Sequence, residues 1–160
     1  MLAATKSMLS QTYEMKDLGT LSWYLGMKIT YSPDASAVEI SQRAFAEDIL
    51  RQYRMENTNS ARVPADPYSR TSLRSSDVDK LDEWMTDLSY RGVIGSLQYL
   101  AAGTRPDLAY AVGVAARFVQ DPQREHWRMV MRILKYLRGT LDFGLRYSKT
   151  DSTDIVGWSD

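Results

Sequence analysis

The stretch YRGVIGSLQYL, residues 90–100, decides the fold of this 160-residue chain. Its apolar side chains recur every three or four residues, which is the spacing that places them along one side of an α-helix. Gly103 is typical of a helix end, so the helix is predicted to stop at Ala102. The predicted buried stripe of this helix consists of Tyr90, Ile94, Leu97 and Leu100.

A second stripe of the same helix carries no bulky apolar group. Arginine and glutamine can donate hydrogen bonds to the groove acceptors of a duplex, and a tyrosine ring can stack on a sugar. Two interpretations stay open: the glycine of this stripe lets a duplex approach the helix backbone, or it admits a neighbouring helix. The stripe comprises Arg91, Gly95, Gln98 and Ala102, with Tyr99 beside it.

Towards the N-terminus the pattern predicts a helix, a β-hairpin and a second helix. Ser41 is the predicted N-cap of the second helix. Gly26 lies inside the first predicted strand, where it indicates a bulge or a close approach of another backbone. The predicted bounds are residues 2–13 for the helix, 22–32 and 37–41 for the strands, 42–55 for the second helix and 56–76 for a long surface loop.

Towards the C-terminus the pattern predicts two more helices followed by strands. A capping threonine, a proline and an acid begin the first of them at residues 104–107. The second begins at Asp121-Pro122 and runs to Arg138, with a buried stripe of Trp127, Val130, Leu134 and Leu137. A short acidic helix is predicted at residues 77–87, and strands at residues 144–148 and 155–159.

Basic side chains are concentrated in the C-terminal half of the chain. The whole chain has a net charge of zero, yet residues 91–149 contain ten basic and four acidic residues. Such local charge attracts polyanions. Four cations of the last helix could follow phosphates or could form an ordinary solvated face: Arg124, Arg128, Lys135 and Arg138.

Composition excludes several classes of protein. Hydrophobic residues make up 44% of the chain, which is enough for a folded core. There is no cysteine, so disulfides and thiolate metal sites are excluded and an intracellular setting is expected. The N-terminus lacks a signal-peptide core, and the longest apolar run, residues 108–116, is too short to span a bilayer. A soluble protein without a membrane partner is predicted.

The sequence offers no catalytic constellation. No Asp-Asp pair, phosphate-binding glycine loop, His-Glu-x-x-His motif or Gly-x-Ser-x-Gly motif is present. His126 is the single histidine and lies beside Trp127 on a predicted helix, so a structural role is favoured over a catalytic one. No catalytic residue and no metal ligand are therefore predicted.

Four segments of the chain resemble copia-type retrotransposon reverse transcriptases in their order and approximate spacing. The resemblance covers nearly the whole chain, and the closing GWSD, residues 157–160, looks like the start of that family's ribonuclease H domain. The segments are YEMKDLG at residues 13–19 with YLGM at 24–27, ISQ at 40–42, YRGVIGSLQYL at 90–100 with TRPDL at 104–108, and His126 with RILKYLRGT at 132–140.

The resemblance implies an α+β fold with three parts. These are a palm-derived β-hairpin, a mainly helical thumb bundle and C-terminal strands that begin a ribonuclease H-like sheet. The implied domains are a palm remnant with a primer-grip-like hairpin at residues 1–41, a thumb-like bundle at 42–121, and a connecting helix with the start of the ribonuclease H-like domain at 122–160.

The resemblance also implies a set of nucleic-acid-binding residues. Their partner would be an RNA–DNA or DNA duplex, and the palm and ribonuclease H segments of the polyprotein would be further partners. Tyr24, Leu25, Gly26 and Lys28 would lie nearest the primer end. Arg91, Gly95, Gln98 and Tyr99 fall on the helix that tracks the minor groove in related polymerases, and Arg105 would reach a phosphate.

The chain departs from the family where catalysis is concerned. The intact family enzyme uses magnesium, held by a palm motif Tyr-Val-Asp-Asp that this chain does not contain. Asp160 corresponds to the first of several ribonuclease H carboxylates and stands alone. We therefore predict that this chain by itself does not polymerise DNA and binds no cofactor. The alternative is a non-enzymatic relic that contacts protein or nucleic acid.

Overall fold

The computed structural model describes residues 2–65 and 87–149, which form an antiparallel sheet and a bundle of helices. The α+β class predicted above is confirmed. Four parts of the predictions lie outside the described residues: the strand at 155–159, Asp160, residues 77–86 of the acidic helix predicted at 77–87, and residues 66–76 of the loop. The elements are α1 Leu2–Thr12, β1 Trp23–Tyr24, β2 Met27–Tyr31, β3 Ala37–Ser41, α2 Arg43–Gln52, α3 Tyr90–Gly103, a 3₁₀ turn Pro106–Leu108, α4 Ala109–Ala116, α5 Arg124–Gly139 and β4 Leu145–Ser148.

The sheet has the strand order β1-β2-β3-β4, and every neighbouring pair is antiparallel. Because side chains alternate along a strand, its two faces differ in polarity. The polar face carries Lys28, Thr30 and Arg146, whereas the apolar face carries Met27, Ile29, Tyr31, Val38, Ile40, Leu145 and Tyr147.

The strand predicted over residues 22–32 is two strands, which corrects the position assigned to Gly26. Tyr24 pairs with Met27, so Leu25 and Gly26 form a two-residue hairpin turn between β1 and β2. Both have positive φ angles, 48° and 75°, as a type I′ turn requires. The usual signal for this turn is Asn-Gly or Asp-Gly, and leucine in the first position hides it.

The strand β4 corrects a second prediction. The resemblance implies that this strand begins a ribonuclease H-like sheet, whereas in the structure it pairs with β3 from Ile40–Leu145 to Ala37–Ser148. It therefore extends the sheet of the hairpin. The close approach depends on Gly144, because a Cβ at that position would lie 2.5 Å from the Ile40 carbonyl oxygen.

The core lies between α2, α3, α4 and α5. All eight residues of the two predicted buried stripes are buried, so both predictions are confirmed. The rings of Tyr90 and Trp127 meet edge to face with centroids 5.2 Å apart. The Tyr90 hydroxyl donates a 2.9 Å hydrogen bond to the Ala115 carbonyl, which joins α3 to α4. Burial raises the pKa of Tyr90 to about 12. No helix among the described residues is long and apolar enough to cross a membrane.

The last helix begins two residues later than predicted. Its N-cap is Gln123, and the backbone amide of Gln123 donates a 2.8 Å hydrogen bond to Nδ1 of His126. The imidazole also stacks on Phe118, with centroids 3.7 Å apart. The histidine therefore satisfies an amide at the helix start, so the structural role favoured for it is observed.

The start of α3 depends on one serine. The Ser89 hydroxyl accepts a 3.0 Å hydrogen bond from the Gly92 amide. Replacing Ser89 with alanine is expected to lower the free energy of unfolding by about 1 kcal/mol, because that amide loses its acceptor. Urea unfolding measures the difference. Ser96→Ala in the middle of α3 is the control and should not destabilise, since alanine favours helix. Equal losses in both variants would contradict the capping role.

Candidate nucleic-acid interface

The second stripe of α3 lies open to solvent. A Cβ built on Gly95 meets no atom of the described residues within 4 Å, and this glycine is exposed. Arg91, Gln98 and Tyr99 are also exposed. Within residues 2–65 and 87–149, neither Arg91 nor Gln98 forms a side-chain hydrogen bond or ion pair. Of the two interpretations left open by the sequence, packing of a neighbouring helix against Gly95 does not occur in the described part of the chain.

The hairpin turn meets α3 at Tyr99. The Tyr99 hydroxyl donates a 2.8 Å hydrogen bond to the Leu25 carbonyl. A Cβ built on Gly26 would lie 4.0 Å from the same hydroxyl oxygen. Two groups of residues predicted separately, the turn and the open stripe of α3, are thus adjacent in the structure.

The end of α3 provides a second contact with the sheet. A Cβ at Gly103 would lie 2.9 Å from Cε of Met27 and 2.4 Å from Oε1 of Gln42. The same Gln42 oxygen accepts a 3.0 Å hydrogen bond from Thr104. A larger residue than glycine would therefore force the side chains of Met27 and Gln42 to move.

The turn itself is strained and exposed. Leucine with a φ of 48° occupies the left-handed region, which costs roughly 1–2 kcal/mol for a residue with a Cβ. The Leu25 side chain nevertheless stays 67% exposed and buries little apolar surface that would offset this strain. Trp23 and Tyr24 beside it are also exposed. Strain held in an exposed turn is typical of a contact surface.

Lys28 and Arg105 do not join the open stripe of α3. Lys28 projects from the polar face of the sheet, whereas Met27 on the opposite face contacts the end of α3. The Arg105 side chain is only 2% exposed, so the phosphate contact implied for it is not available in this conformation. Arg105 serves the packing of the bundle instead.

Arg105 is the centre of a buried polar network. Its guanidinium donates hydrogen bonds of 2.9 and 2.7 Å to the two carboxylate oxygens of Asp107. It donates two more, to the carbonyl and hydroxyl oxygens of Thr140 at the end of α5. The Tyr136 hydroxyl donates to Asp107 at 2.9 Å. Burial disfavours the ionised form of Asp107, but the hydrogen bonds from Arg105 and Tyr136 outweigh burial and lower the pKa of this carboxyl.

The row of cations on α5 is partly covered by the chain. Arg138 donates to the Glu56 carbonyl, and Arg132 donates to the Val63 carbonyl at 3.3 Å. The Ala61 amide donates to the Lys135 carbonyl at 3.2 Å. Residues 56–63 therefore run beside this helix, so α5 is not a freely accessible phosphate track.

Sequence reasoning missed two parts of the site. The contact between Tyr99 and Leu25 joins residues 74 positions apart, and no local pattern signals such a pair. The network around Arg105 recruits Tyr136 and Thr140 from a different helix. The Thr-Arg-Pro-Asp sequence at residues 104–107 did carry a signal, because an arginine two residues before an aspartate can pair with it locally.

Comparison with known proteins shows which family the chain resembles. Residues 1–67 match the family described as reverse transcriptase (RNA-dependent DNA polymerase). Over its full length the chain is 34% identical to the retrovirus-related Pol polyprotein from transposon TNT 1-94 of Nicotiana tabacum. It is 35% identical, also over its full length, to the Pol polyprotein from transposon RE1 of Arabidopsis thaliana. The chain belongs to the copia-type retrotransposon reverse transcriptase family.

This reverse transcriptase segment spans 12% and 10% of the lengths of those two polyproteins. An uncharacterised mitochondrial protein of Arabidopsis thaliana is 30% identical over 95% of the segment, which covers 60% of that protein. No solved structure matches the segment. Within the described ranges, no three acidic or histidine side chains group so that they could hold a metal ion. The magnesium of the family has no donor set among these residues, and no chemical step is assigned to them.

Proposed function

We propose that this reverse transcriptase segment grips a primer–template duplex, either an RNA–DNA hybrid or DNA. The gripping face, as we define it, consists of the open stripe of α3 and the hairpin: Arg91, Gly95, Gln98, Tyr99, Tyr24, Leu25, Gly26 and Lys28. Lys28 projects from the sheet face opposite to α3, so it would contact the duplex where the duplex passes the hairpin and not beside α3. In the intact polyprotein this grip would position the primer for RNA-directed DNA synthesis. The palm and ribonuclease H segments would supply the chemistry.

One observation carries the proposal: the exposed glycine of α3 lies on the same face as a side chain bonded to the hairpin turn. Because Gly95 has open space above it, a sugar–phosphate backbone can approach the helix closely. Arg91 and Gln98 lie on either side of this glycine, and within the described ranges their side-chain donors form no hydrogen bond. Both can reach acceptors on base edges or sugars.

The charges on this face support binding that is weak and independent of sequence. Arg91 and Lys28 supply two cations, and each would neutralise one phosphate. Neutralising about two phosphates gives a slope of about −2 for the logarithm of affinity against the logarithm of salt concentration. The face offers few groups able to distinguish one base pair from another.

The proposal is tested by titrating a labelled RNA–DNA hybrid with the purified segment and following fluorescence anisotropy. We expect binding that weakens about tenfold between about 50 and about 200 mM salt and that does not depend on the duplex sequence. The double variant with Arg91→Gln and Tyr99→Ala should bind the hybrid more weakly than the wild type does at the same salt concentration.

Arg117→Gln is the matched control for charge. It removes one cation from the exposed C-cap position of α4, outside the gripping face, and should change the affinity much less than Arg91→Gln. No binding at low salt would contradict the proposal. Equal losses from Arg91→Gln and Arg117→Gln would show that only the overall charge matters.

A further inference from the structure

We propose that Tyr99 is a positioning residue, which holds the hairpin turn through its hydroxyl so that the turn and α3 contact one duplex together. The inference deepens the proposed function and rests on it. It replaces the prediction that Tyr99 acts by stacking its ring on a sugar. The hydroxyl oxygen of Tyr99, which bonds to the turn, performs this role, and the ring does not need to contact the duplex.

Both ends of the Tyr99 side chain are already engaged in the free protein. Its ring meets Phe45 of α2 edge to face, with centroids 5.2 Å apart and planes at 84°. Its hydroxyl donates to the Leu25 carbonyl at 2.8 Å. The side chain is nevertheless 46% exposed. The Tyr99 side chain therefore connects the helices to the turn at the surface of the protein.

Met27, directly after the turn, contacts the end of α3, but little else fixes the position of the turn itself. The strand β1 has two residues and lies at the edge of the sheet. The carbonyl of the first central residue of a two-residue turn is not part of the strand ladder. Within residues 2–65 and 87–149, no other hydrogen bond joins the turn to the helices. The Leu25 backbone conformation is also disfavoured, so an outside partner stabilises it.

The hydrogen bond from Tyr99 to the turn should affect how the hairpin contacts a duplex. Removing the hydroxyl should leave α3 and its Arg91 contact in place, because the core stripe of α3 is buried separately. The turn, with Lys28 behind it on β2, would then no longer be held at the same distance from α3. Loss of the hydroxyl should therefore weaken the contacts made by the hairpin and leave those made by α3.

The test is a double-mutant cycle with the same labelled hybrid. Tyr99→Phe should lower the affinity about two- to tenfold, the equivalent of one hydrogen bond. In the Lys28→Gln background the same change should have little further effect, because both act through the hairpin. In the Arg91→Gln background the fold-losses of affinity from Tyr99→Phe and from Arg91→Gln should multiply, because the two residues act independently. Tyr110→Phe is the matched control: the same atom is removed from an exposed tyrosine of α4, and affinity should not change.

Each other outcome is decisive. Wild-type affinity for Tyr99→Phe, or a loss that multiplies with Lys28→Gln, would overturn the positioning role. A silent Lys28→Gln beside a weakened Tyr99→Phe would overturn it too, because Lys28 is the charged contact that the hairpin is proposed to make with the duplex. If neither Arg91→Gln nor Lys28→Gln changes the affinity, the proposed duplex grip itself fails. Thermal unfolding of Tyr99→Phe separates lost binding from lost folding.

Discussion

Replacing Asp107 with asparagine is expected to lower the free energy of unfolding by about 3 kcal/mol. The change leaves the Arg105 guanidinium, only 2% exposed, without its counter-charge. The expected loss is at the lower end for a broken buried ion pair, because the Asp107 side chain is still 32% exposed. Domains of this size have a total stability of only about 5–15 kcal/mol. The loss would therefore be visible as a large shift in the urea midpoint.

Asp142→Asn is the matched control for this prediction. Asp142 forms an ion pair with Arg43, but both side chains are more than half exposed. Exposed pairs contribute about 0–1 kcal/mol, so this variant should unfold close to the wild type. An Asp107→Asn variant that is as stable as Asp142→Asn would show that the Arg105 network does not stabilise the bundle.

Low pH should also weaken the network around Arg105, because Asp107 becomes protonated. A carboxyl whose pKa is lowered by folding stabilises the folded state fully above its unfolded value, and the stabilisation is lost as the pH falls through the folded pKa. For Asp107 the pKa is lowered from 3.8. The wild type should therefore lose stability below about pH 4. The Asp107→Asn variant should lose less over the same interval, which urea midpoints measured at several pH values would show.

Replacing Gly95 with glutamine is expected to weaken hybrid binding at least about tenfold, or about 1.4 kcal/mol. The new side chain would occupy the space through which a duplex backbone would approach α3. The fold should not suffer, because no atom of residues 2–65 and 87–149 lies within 4 Å of the added Cβ. Glycine in the interior of a helix costs about 1 kcal/mol relative to a good helix former. The variant should therefore be as stable as the wild type or more stable.

The chain contains a matched glycine for comparison. Gly113 lies in α4 and is exposed, and an added Cβ there also meets no atom within 4 Å in the part of the chain that the structure describes. Gly113→Gln makes the same chemical change in another helix with the same benefit in helix propensity. It is outside the gripping face. Any difference in affinity between the two variants therefore reports on the position of the glycine.

The sequence predicted the parts of this structure that depend on local periodicity. The buried stripes of α3 and α5 follow from apolar residues spaced three and four apart, because burial in a bundle selects for that spacing. The exposure of Arg91, Gly95 and Gln98 follows from the same geometry, since a helix with one buried face presents the other. These positions could be placed before any contact was known.

The parts that depend on pairing between distant residues could not be predicted in this way. A strand such as β4 can join any open edge, and nothing in its own sequence signals that it pairs with β3. Arg105 looked accessible because it precedes a helix, but its partners Tyr136 and Thr140 are about 30 residues away. The turn at Leu25 and Gly26 was missed because leucine rarely adopts a positive φ.

The affinities of Gly95→Gln and Gly113→Gln for one RNA–DNA hybrid, measured side by side at low salt, address the duplex grip most directly. We expect Gly113→Gln to bind like the wild type and Gly95→Gln to bind at least about tenfold more weakly, with both variants fully folded. Undiminished binding by Gly95→Gln, or equal losses in both variants, would mean that the open side of α3 does not face the duplex.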